Sequence, residues 1–152
     1  MNKERLLKLA NLLEQDAKNP NGIKFDLNWW ARPSIDSASQ IPYWHDVKRE
    51  PAPSCDTTGC AMGLAAVSGI FKDEGLSYRI SGRNIEVEYR DARGFQYSGF
   101  EAAQVFFDIN HYQSYQLFNP DHYSSNTKGT EAELEVVRRI NQLVETGHIT
   151  IE

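Results

Sequence analysis

Apolar residues recur every three to four positions near the start of the chain, and this spacing predicts an amphipathic helix. Asn19-Pro20-Asn21-Gly22 ends the pattern, because proline cannot continue a helix and Asn-Gly favours a turn. Apolar and polar residues then alternate from 23 to 27, as in a half-buried strand. The helical stripe consists of Leu6, Leu9, Ala10, Leu13 and Ala17.

The period changes to two between residues 76 and 90, which predicts a β-hairpin with its turn at 81–84. A further turn at 91–94 leads to a third strand that begins near Phe95 and Tyr97. The outward hairpin positions carry charges of both signs, which suits cross-strand pairing on a solvated face. These outward residues are Arg79, Glu86, Glu88 and Arg90, and the inward ones are Leu76, Tyr78, Ile80, Ile85, Val87 and Tyr89.

Helical spacing returns after residue 98 and brings three candidate capping boxes. They pair Ser98 with Glu101, Asn110 with Gln113, and Thr130 with Glu133. The last helix is predicted to end at Gly147 and to be followed by an edge strand at 149–151. Its predicted inner face consists of Leu134, Val137, Ile140 and Val144.

These elements together predict an α+β fold. About four helices would pack on a small antiparallel sheet, in one globular domain over residues 1–152.

Residues 28–53 form a long irregular segment that is rich in proline and aromatic residues. Segments of this length without regular structure tend to carry function, so one interpretation is a binding segment that uses Trp29, Trp30 and Trp44. The alternative is a strap whose aromatic side chains cover one edge of the core. The general tendency of large aromatic residues to bury favours the strap.

Charge and composition narrow the classes of function. The chain has a net charge of -5, and its 21 acidic residues are interleaved with 16 basic ones, which argues against nucleic acid as a partner. No apolar run approaches the roughly 20 residues of a membrane span. The first residues lack the apolar centre of a signal peptide. We therefore expect a cytoplasmic protein that does not contact a membrane.

Both cysteines lie in one segment that passes from polar residues into a small-residue helix. Asp56, Thr57 or Thr58 is predicted to cap this helix and to place Cys60 in its first turn. Free N–H groups and the helix dipole favour a thiolate there, which makes Cys60 a candidate catalytic nucleophile if a histidine supplies the base. The candidate bases are His45, His111, His122 and His148.

A structural role for Cys60 is the competing interpretation, and the sequence favours it. Cys60, Gly63, Leu64 and Val67 recur at helical spacing, which predicts a buried stripe, and free cysteine is among the most buried residue types. The single C-x4-C pair lacks the second pair of ligands that a zinc site needs, so we predict no metal and no cofactor.

The start of this helix is predicted to be open to solvent and to be the main binding site. A helix N-terminus can accept a small anion. The predicted partner is therefore a protein or a small anionic ligand. The predicted binding residues are Trp29, Trp30, Trp44, Cys55, Asp56, Thr57, Thr58 and Gly59.

Three segments, at 55–63, 99–109 and 115–120, resemble a family of small uncharacterised proteins of bacteria and their phages. That family pairs a C-G-T-x-x-C-A-x-G helix start with a G-[YF]-E-A-A-x-x-F-F-G-L-S helix and an L-F-x-P stop. This chain has Asp56 in place of the first glycine and Asp108-Ile109-Asn110 in place of Gly-Leu-Ser. The resemblance implies a bacterial or phage origin and no particular reaction.

The leading hypothesis is a small non-enzymatic binding protein. Phage genomes encode many compact inhibitors of host defence, so the resemblance favours an inhibitor of a host protein. The runner-up is a cysteine-dependent enzyme that uses Cys60 and a histidine base.

Overall fold

A computed structural model describes residues 1–19, 22, 24–33, 57–81, 84–124 and 126–151. These residues form helices and strands in the mixture expected of the α+β class, which is confirmed. The helices are α1 (Lys3–Lys18), α2 (Ala61–Ser68), α3 (Gly99–Phe107), α4 (His111–Phe118) and α5 (Gly129–Thr146). The strands are β1 (Lys24–Phe25), β2 (Ala31–Pro33), β3 (Thr57–Gly59), β4 (Leu76–Ser81), β5 (Asn84–Arg90) and β6 (Gln96–Ser98).

The strands form one sheet in the order β1–β3–β2–β5–β4, with β6 also paired to β5. The predicted hairpin is confirmed, because β4 and β5 pair in continuous register from Leu76 with Tyr89 to Ser81 with Asn84. The pairing of β1 with β3 is parallel, and the other pairs are antiparallel. The sheet therefore adds one parallel pair to the predicted antiparallel arrangement.

The two edges of β5 differ. Strand β4 occupies one edge along almost its whole length. On the other edge, β2 pairs only through Ala31 with Ile85, and β6 pairs from Glu88 onwards. Glu86 and Val87 lie between the two partner strands, so the sheet forks at this point.

The core lies where α2 and α3 pack on the sheet and α1 packs on α5. The apolar stripe of α1 is confirmed from Leu6 to Leu13. Helix α2 is buried from Ala61 to Val67, so it has no solvent-facing side at these positions. Phenylalanine rings fill the centre in edge-to-face contacts, between Phe71 and Phe106 and between Phe106 and Phe107.

The predicted inner face of α5 is partly wrong. Val137 and Ile140 are buried, but Leu134 is 44% exposed and Val144 is half-buried. The buried face is rotated toward Ala132, Glu133, Val136, Arg139 and Leu143, in addition to Val137 and Ile140. Two long polar residues on the buried face hid its position from a pattern of apolar residues.

Glu133 explains why the capping box predicted at Thr130 does not form. The helix begins one residue earlier, with Lys128 at the N-cap and no side-chain cap. The carboxyl of Glu133 lies in the core, only 2% exposed, beside the carboxylate of Asp16 on α1, which helps to raise its pKa. A side chain committed to a partner on another helix cannot fold back to cap its own.

Of the other two predicted capping boxes, one forms and one does not. Asn110 and Gln113 form both bonds of a capping box at α4, as predicted. Ser98 is the N-cap of α3, but its side chain makes no cap hydrogen bond.

Three further boundaries differ from the predictions. The strand expected over 23–27 is short and ends at Phe25. Part of the segment expected to be irregular, Ala31–Pro33, is a strand, because β3 and β5 supply its partners; residues 34–53 lie outside the described residues. The expected edge strand at 149–151 is not one, since Gln142 Oε1 accepts from Thr150 N and holds this tail on α5.

Within the described part of the chain, no helix is long and apolar enough to cross a membrane.

Candidate ligand-binding cleft

Trp29 and Trp30 are fixed at the surface by hydrogen bonds on both sides. On one side, Asn28 donates to Asp26 Oδ1 from its backbone N at 3.0 Å and from Nδ2 at 2.8 Å. This is the Asx turn that Asp-x-Asn favours. On the other side, the N–H of Cys60 donates to the carbonyls of Trp29 at 2.8 Å and Trp30 at 3.2 Å. The tryptophan backbone is therefore held by the core.

A cavity of about 410 Å³ opens at the fork of the sheet. We call it the tryptophan cleft. Its walls come from three elements: the segment before β2, the unpaired part of β5, and the junction of β6 with α3. The lining residues are Asn28, Trp29, Trp30, Ile85, Glu86, Ser98 and Gly99.

Backbone direction creates the cleft. If β2 continued backwards in register, Trp30 would lie opposite Glu86, and if β6 continued forwards, Gly99 would lie opposite Val87. Both chains turn away instead. Trp30 turns toward Cys60, and Gly99 adopts φ 57° and begins α3. The space left between them is the cavity.

The two tryptophans have different roles in the cleft. The Trp29 side chain is 39% exposed. Trp30 is half-buried and packs edge-to-face against Phe100, with 4.9 Å between ring centroids. Trp30 also lines a second cavity, of about 270 Å³, together with Phe100 and Pro120. The Trp29 side chain is thus accessible to a ligand. The Trp30 ring forms a wall of the cleft, and Phe100 supports it.

Aromatic rings continue from the cleft onto α4. Phe100 stacks on Tyr115 with 4.6 Å between ring centroids, and Tyr115 lies 4.3 Å from the His111 ring. Tyr112 on the same helix is 62% exposed. An exposed aromatic surface therefore extends beyond the cavity itself.

The charge beside the cleft is negative. Glu86 accepts a hydrogen bond from Arg79 Nη2, and Glu88 Oε1 lies 3.4 Å from Arg79 Nε. Two carboxylates thus share one guanidinium on the outer face of the hairpin, as the mixed charges predicted. Among the described lining residues of the cleft, none is basic.

Cys60 lies directly behind the cleft, inside the core. Its side chain is 1% exposed, and its Sγ donates to the carbonyl of Trp30 at 3.8 Å. Burial raises the pKa of this thiol to about 11, although the backbone N–H groups of Gly63 and Met62 act in the opposite direction. The thiol is protonated at neutral pH and does not meet solvent. The buried interpretation is confirmed.

The histidines do not complete a catalytic pair with Cys60 in the described structure. His111 Nδ1 lies 3.2 Å from Gln104 Nε2, His122 contacts the rings of Tyr112 and Tyr115, and His148 is exposed. His45 lies outside the described residues. The geometry and protonation of Cys60 therefore disfavour the cysteine-enzyme hypothesis.

The predicted cap at residues 56–58 is wrong, because Cys60 itself is the N-cap of α2. Thr57, Thr58 and Gly59 form β3, which pairs with β1 on one side and β2 on the other. The backbone N–H and C=O groups of residues 57–59 pair with neighbouring strands, so these residues do not form the start of the helix. Since Gly59 and Cys60 are both buried, the helix start is closed where it was expected to be open.

The structure divides the predicted binding residues. Trp29 and Trp30 lie together in the cleft. The backbone of 57–59 forms a central strand, and Trp44, Cys55 and Asp56 lie outside the described residues. No sequence pattern predicted that Asn28, Glu86, Ser98 and Gly99 would line the cleft. The alternation in the hairpin predicted that Glu86 faces outward, but it did not predict that Glu86 lies beside the tryptophans.

In the ranges that the structure describes, no three His, Cys, Asp or Glu side chains are grouped so that they could hold a metal ion. Comparisons with protein-family models, with curated proteins and with solved structures find no match for this chain. The resemblance to small bacterial and phage proteins therefore stays a prediction.

Proposed function

We propose that this chain is a small binding protein that engages a protein partner through the tryptophan cleft and the adjoining aromatic surface. The observation that carries the proposal is the exposed Trp29 side chain at the mouth of a preformed cavity. Tryptophan is enriched among the residues that dominate binding energy at interfaces. Because the backbone of Trp29 is already fixed by hydrogen bonds, binding does not have to order the backbone at this position.

The proposed setting is the cytoplasm of a bacterium, with the chain encoded by the bacterium or by a phage. An inhibitor of a host defence protein is the form of this function that the family resemblance favours. What supports that setting is the resemblance to small bacterial and phage proteins.

A small anionic ligand is the alternative ligand class, and the geometry supports it less. The start of α2 was its expected site, and Gly59 and Cys60 are buried there. The cleft itself is lined by the carboxylate-bearing Glu86. An anion would meet like charge in the cavity beside the exposed Trp29 indole.

The test is capture of partners by the full chain from a bacterial lysate, followed by affinity measurement with the purified partner. Trp29→Ala should weaken binding at least about tenfold, as truncation of a hot-spot residue does. Phe95→Ala is the matched control, because Phe95 is a 57% exposed aromatic residue at the opposite end of β6. Equal affinity of the wild type and the Trp29 variant would contradict the proposed surface.

A further inference from the structure

The tryptophan cleft combines aromatic walls, a negative rim and an interrupted strand edge. On these features, and resting on the function proposed above, we infer that the cleft receives the guanidinium group of an arginine side chain from the protein partner. The arginine would pack against the indole of Trp29 and donate hydrogen bonds toward Glu86 and the adjacent β5 backbone.

The gap between β2 and β6 along the edge of β5 can accept a side chain of a partner, but it is too short to accept a partner strand. Glu86 and Val87 have no partner strand on this edge among the described strands. Two residues of a strand span about 7 Å, which is too short for a third strand to pair between β2 and β6. Unpaired strand backbone offers carbonyl acceptors beside N–H donors. A guanidinium, which carries several donors, can bond such a carbonyl and the Glu86 carboxylate together.

Charge favours a cation in the cleft. Glu86 and Glu88 share the guanidinium of Arg79, while Arg90, at the far end of β5, donates to Gln96, so Glu86 is the charged residue that lines the cleft. Asp26, behind Asn28, has its own cation, since Lys128 Nζ lies 3.7 Å from Asp26 Oδ2. The chain as a whole carries a net charge of -5. A basic group on the partner would therefore be attracted to the cleft both locally and at long range.

The aromatic walls favour arginine over lysine. A planar guanidinium stacks on an indole face while its edge donates several hydrogen bonds in a fixed geometry, whereas an ammonium is a strongly hydrated point charge. Trp29 offers an exposed indole, and Trp30 is held against Phe100 behind it.

The same protein already contains a guanidinium in such surroundings. Arg139 lies over the ring of Tyr123, with 3.7 Å between its Cζ and the ring centroid. Its Nη atoms donate to the carbonyls of Gln116 at 2.6 Å and His122 at 2.9 Å, and its Nε donates to Glu135 at 2.9 Å. An aromatic face, backbone carbonyls and a carboxylate together satisfy this buried arginine. The tryptophan cleft presents the same three kinds of group to a partner.

The inference can be tested on the full chain by NMR titration with three tripeptides. They are acetyl-Gly-Arg-Gly-amide, its citrulline analogue, which has the same shape without charge, and acetyl-Gly-Glu-Gly-amide. The arginine peptide should shift the indole N–H signals of Trp29 and Trp30 and the amide signals of Glu86 and Val87. We expect the citrulline peptide to bind at least about fivefold more weakly, because it lacks the charge on which cation–π attraction depends. The glutamate peptide should leave these signals unchanged.

A pair of variants isolates the carboxylate. Glu86→Gln should weaken the arginine peptide by about threefold to fivefold and reduce the dependence of its affinity on salt. Glu145→Gln removes the same charge from the exposed face of α5 and should leave the affinity unchanged. The NMR spectrum of each variant shows directly whether it is folded.

Three results would overturn the inference: equal binding of the citrulline or glutamate peptide, shifts located away from the cleft, or no shift at about 50 mM arginine peptide, well above the millimolar affinity expected of one side chain. The function proposed above fails separately, through the Trp29→Ala affinity measurement. If that variant loses the partner while the arginine peptide does not bind, the binding surface stands and its arginine occupant is wrong.

Discussion

The Cys60 thiol and the Trp29 indole lie on either side of one backbone junction, and only the indole reaches solvent. The N–H of Cys60 donates to the carbonyl of Trp29, so the two residues are neighbours across a single hydrogen bond. Cys60 is 1% exposed and Trp29 is 39% exposed. The residue type usually associated with reactivity is inert here, and the residue type usually buried is available for contact.

The difference in solvent exposure between Cys60 and Trp29 arises from the element that follows or precedes each residue. Cys60 precedes a helix that is buried at seven successive positions, so its side chain is enclosed by the core. Trp29 follows an Asx turn that carries the chain to the surface before β2 begins. Position relative to the core, rather than residue chemistry, therefore decides which of them can act on another molecule.

Alkylation should show the largest difference between the two regions. Cys60 in the folded protein should react with iodoacetamide at least about 1000-fold more slowly than in denaturant, because reaction requires opening of the core and a thiolate. Digestion with Asp-N protease, which cleaves before Asp56, would place Cys55 and Cys60 in separate peptides for mass spectrometry. Labelling of Cys60 in the folded protein within tenfold of the denatured rate would restore the enzyme hypothesis.

Trp30→Ala should give the largest change in stability on the cleft side. The ring packs against Phe100 and lines two cavities, so its removal should lower the free energy of unfolding by about 3 kcal/mol. Denaturant unfolding followed by circular dichroism measures this. An effect below about 1 kcal/mol would show that Trp30 does not support the wall of the cleft.

Glu133→Gln tests whether the buried carboxyl of Glu133 is protonated in the folded protein. Burial, and then the neighbouring Asp16 carboxylate, raise the pKa of Glu133 from 4.5 to about 9. Between these values the unfolded chain loses a proton that the folded protein keeps, so stability should fall as the pH rises from 4.5 toward 9. The glutamine variant removes this dependence and should be more stable at pH 8 by about 2 kcal/mol, with no gain at pH 4.

The control for Glu133→Gln is Glu131→Gln, two residues earlier and exposed. Its stability should follow the wild-type pH dependence. If Glu133→Gln also follows the wild-type curve, the carboxyl is ionised in the folded protein and the core is less closed than its burial indicates.

Trp29→Ala should have the smallest effect on stability, below about 1 kcal/mol, because much of this side chain already meets water. Thermal unfolding beside Trp30→Ala makes the comparison direct. A loss as large as that of Trp30→Ala would mean that Trp29 is structural, and that loss of partner binding in this variant reflects unfolding.

Local patterns predicted the elements whose partners are close in sequence. The β4–β5 hairpin, the stripe of α1 and the capping box at Asn110 follow from spacing alone and are confirmed. Predictions were wrong where a distant partner decided the outcome. Thr57 and Thr58 became strand residues because β1 and β2 flank them, and Glu133 turned inward toward α1.

The candidate site shows the same division. The sequence singled out Trp29 and Trp30 as binding residues and Glu86 as an outward charge. Their meeting depends on the pairing of Ala31 with Ile85, which joins segments that no local pattern connects. Most of the residues expected at the helix start, by contrast, are either strand residues or outside the described part of the chain.

Alternation and helical spacing are enough to predict the α+β class, the hairpin and the buried character of Cys60, because they report which side of an element faces the core. The position of the proposed binding cleft depends on tertiary pairing instead. The cleft exists because β2 and β6 meet the same edge of β5 and leave it before they meet each other. That geometry depends on long-range backbone pairing, which amino-acid periodicity does not encode.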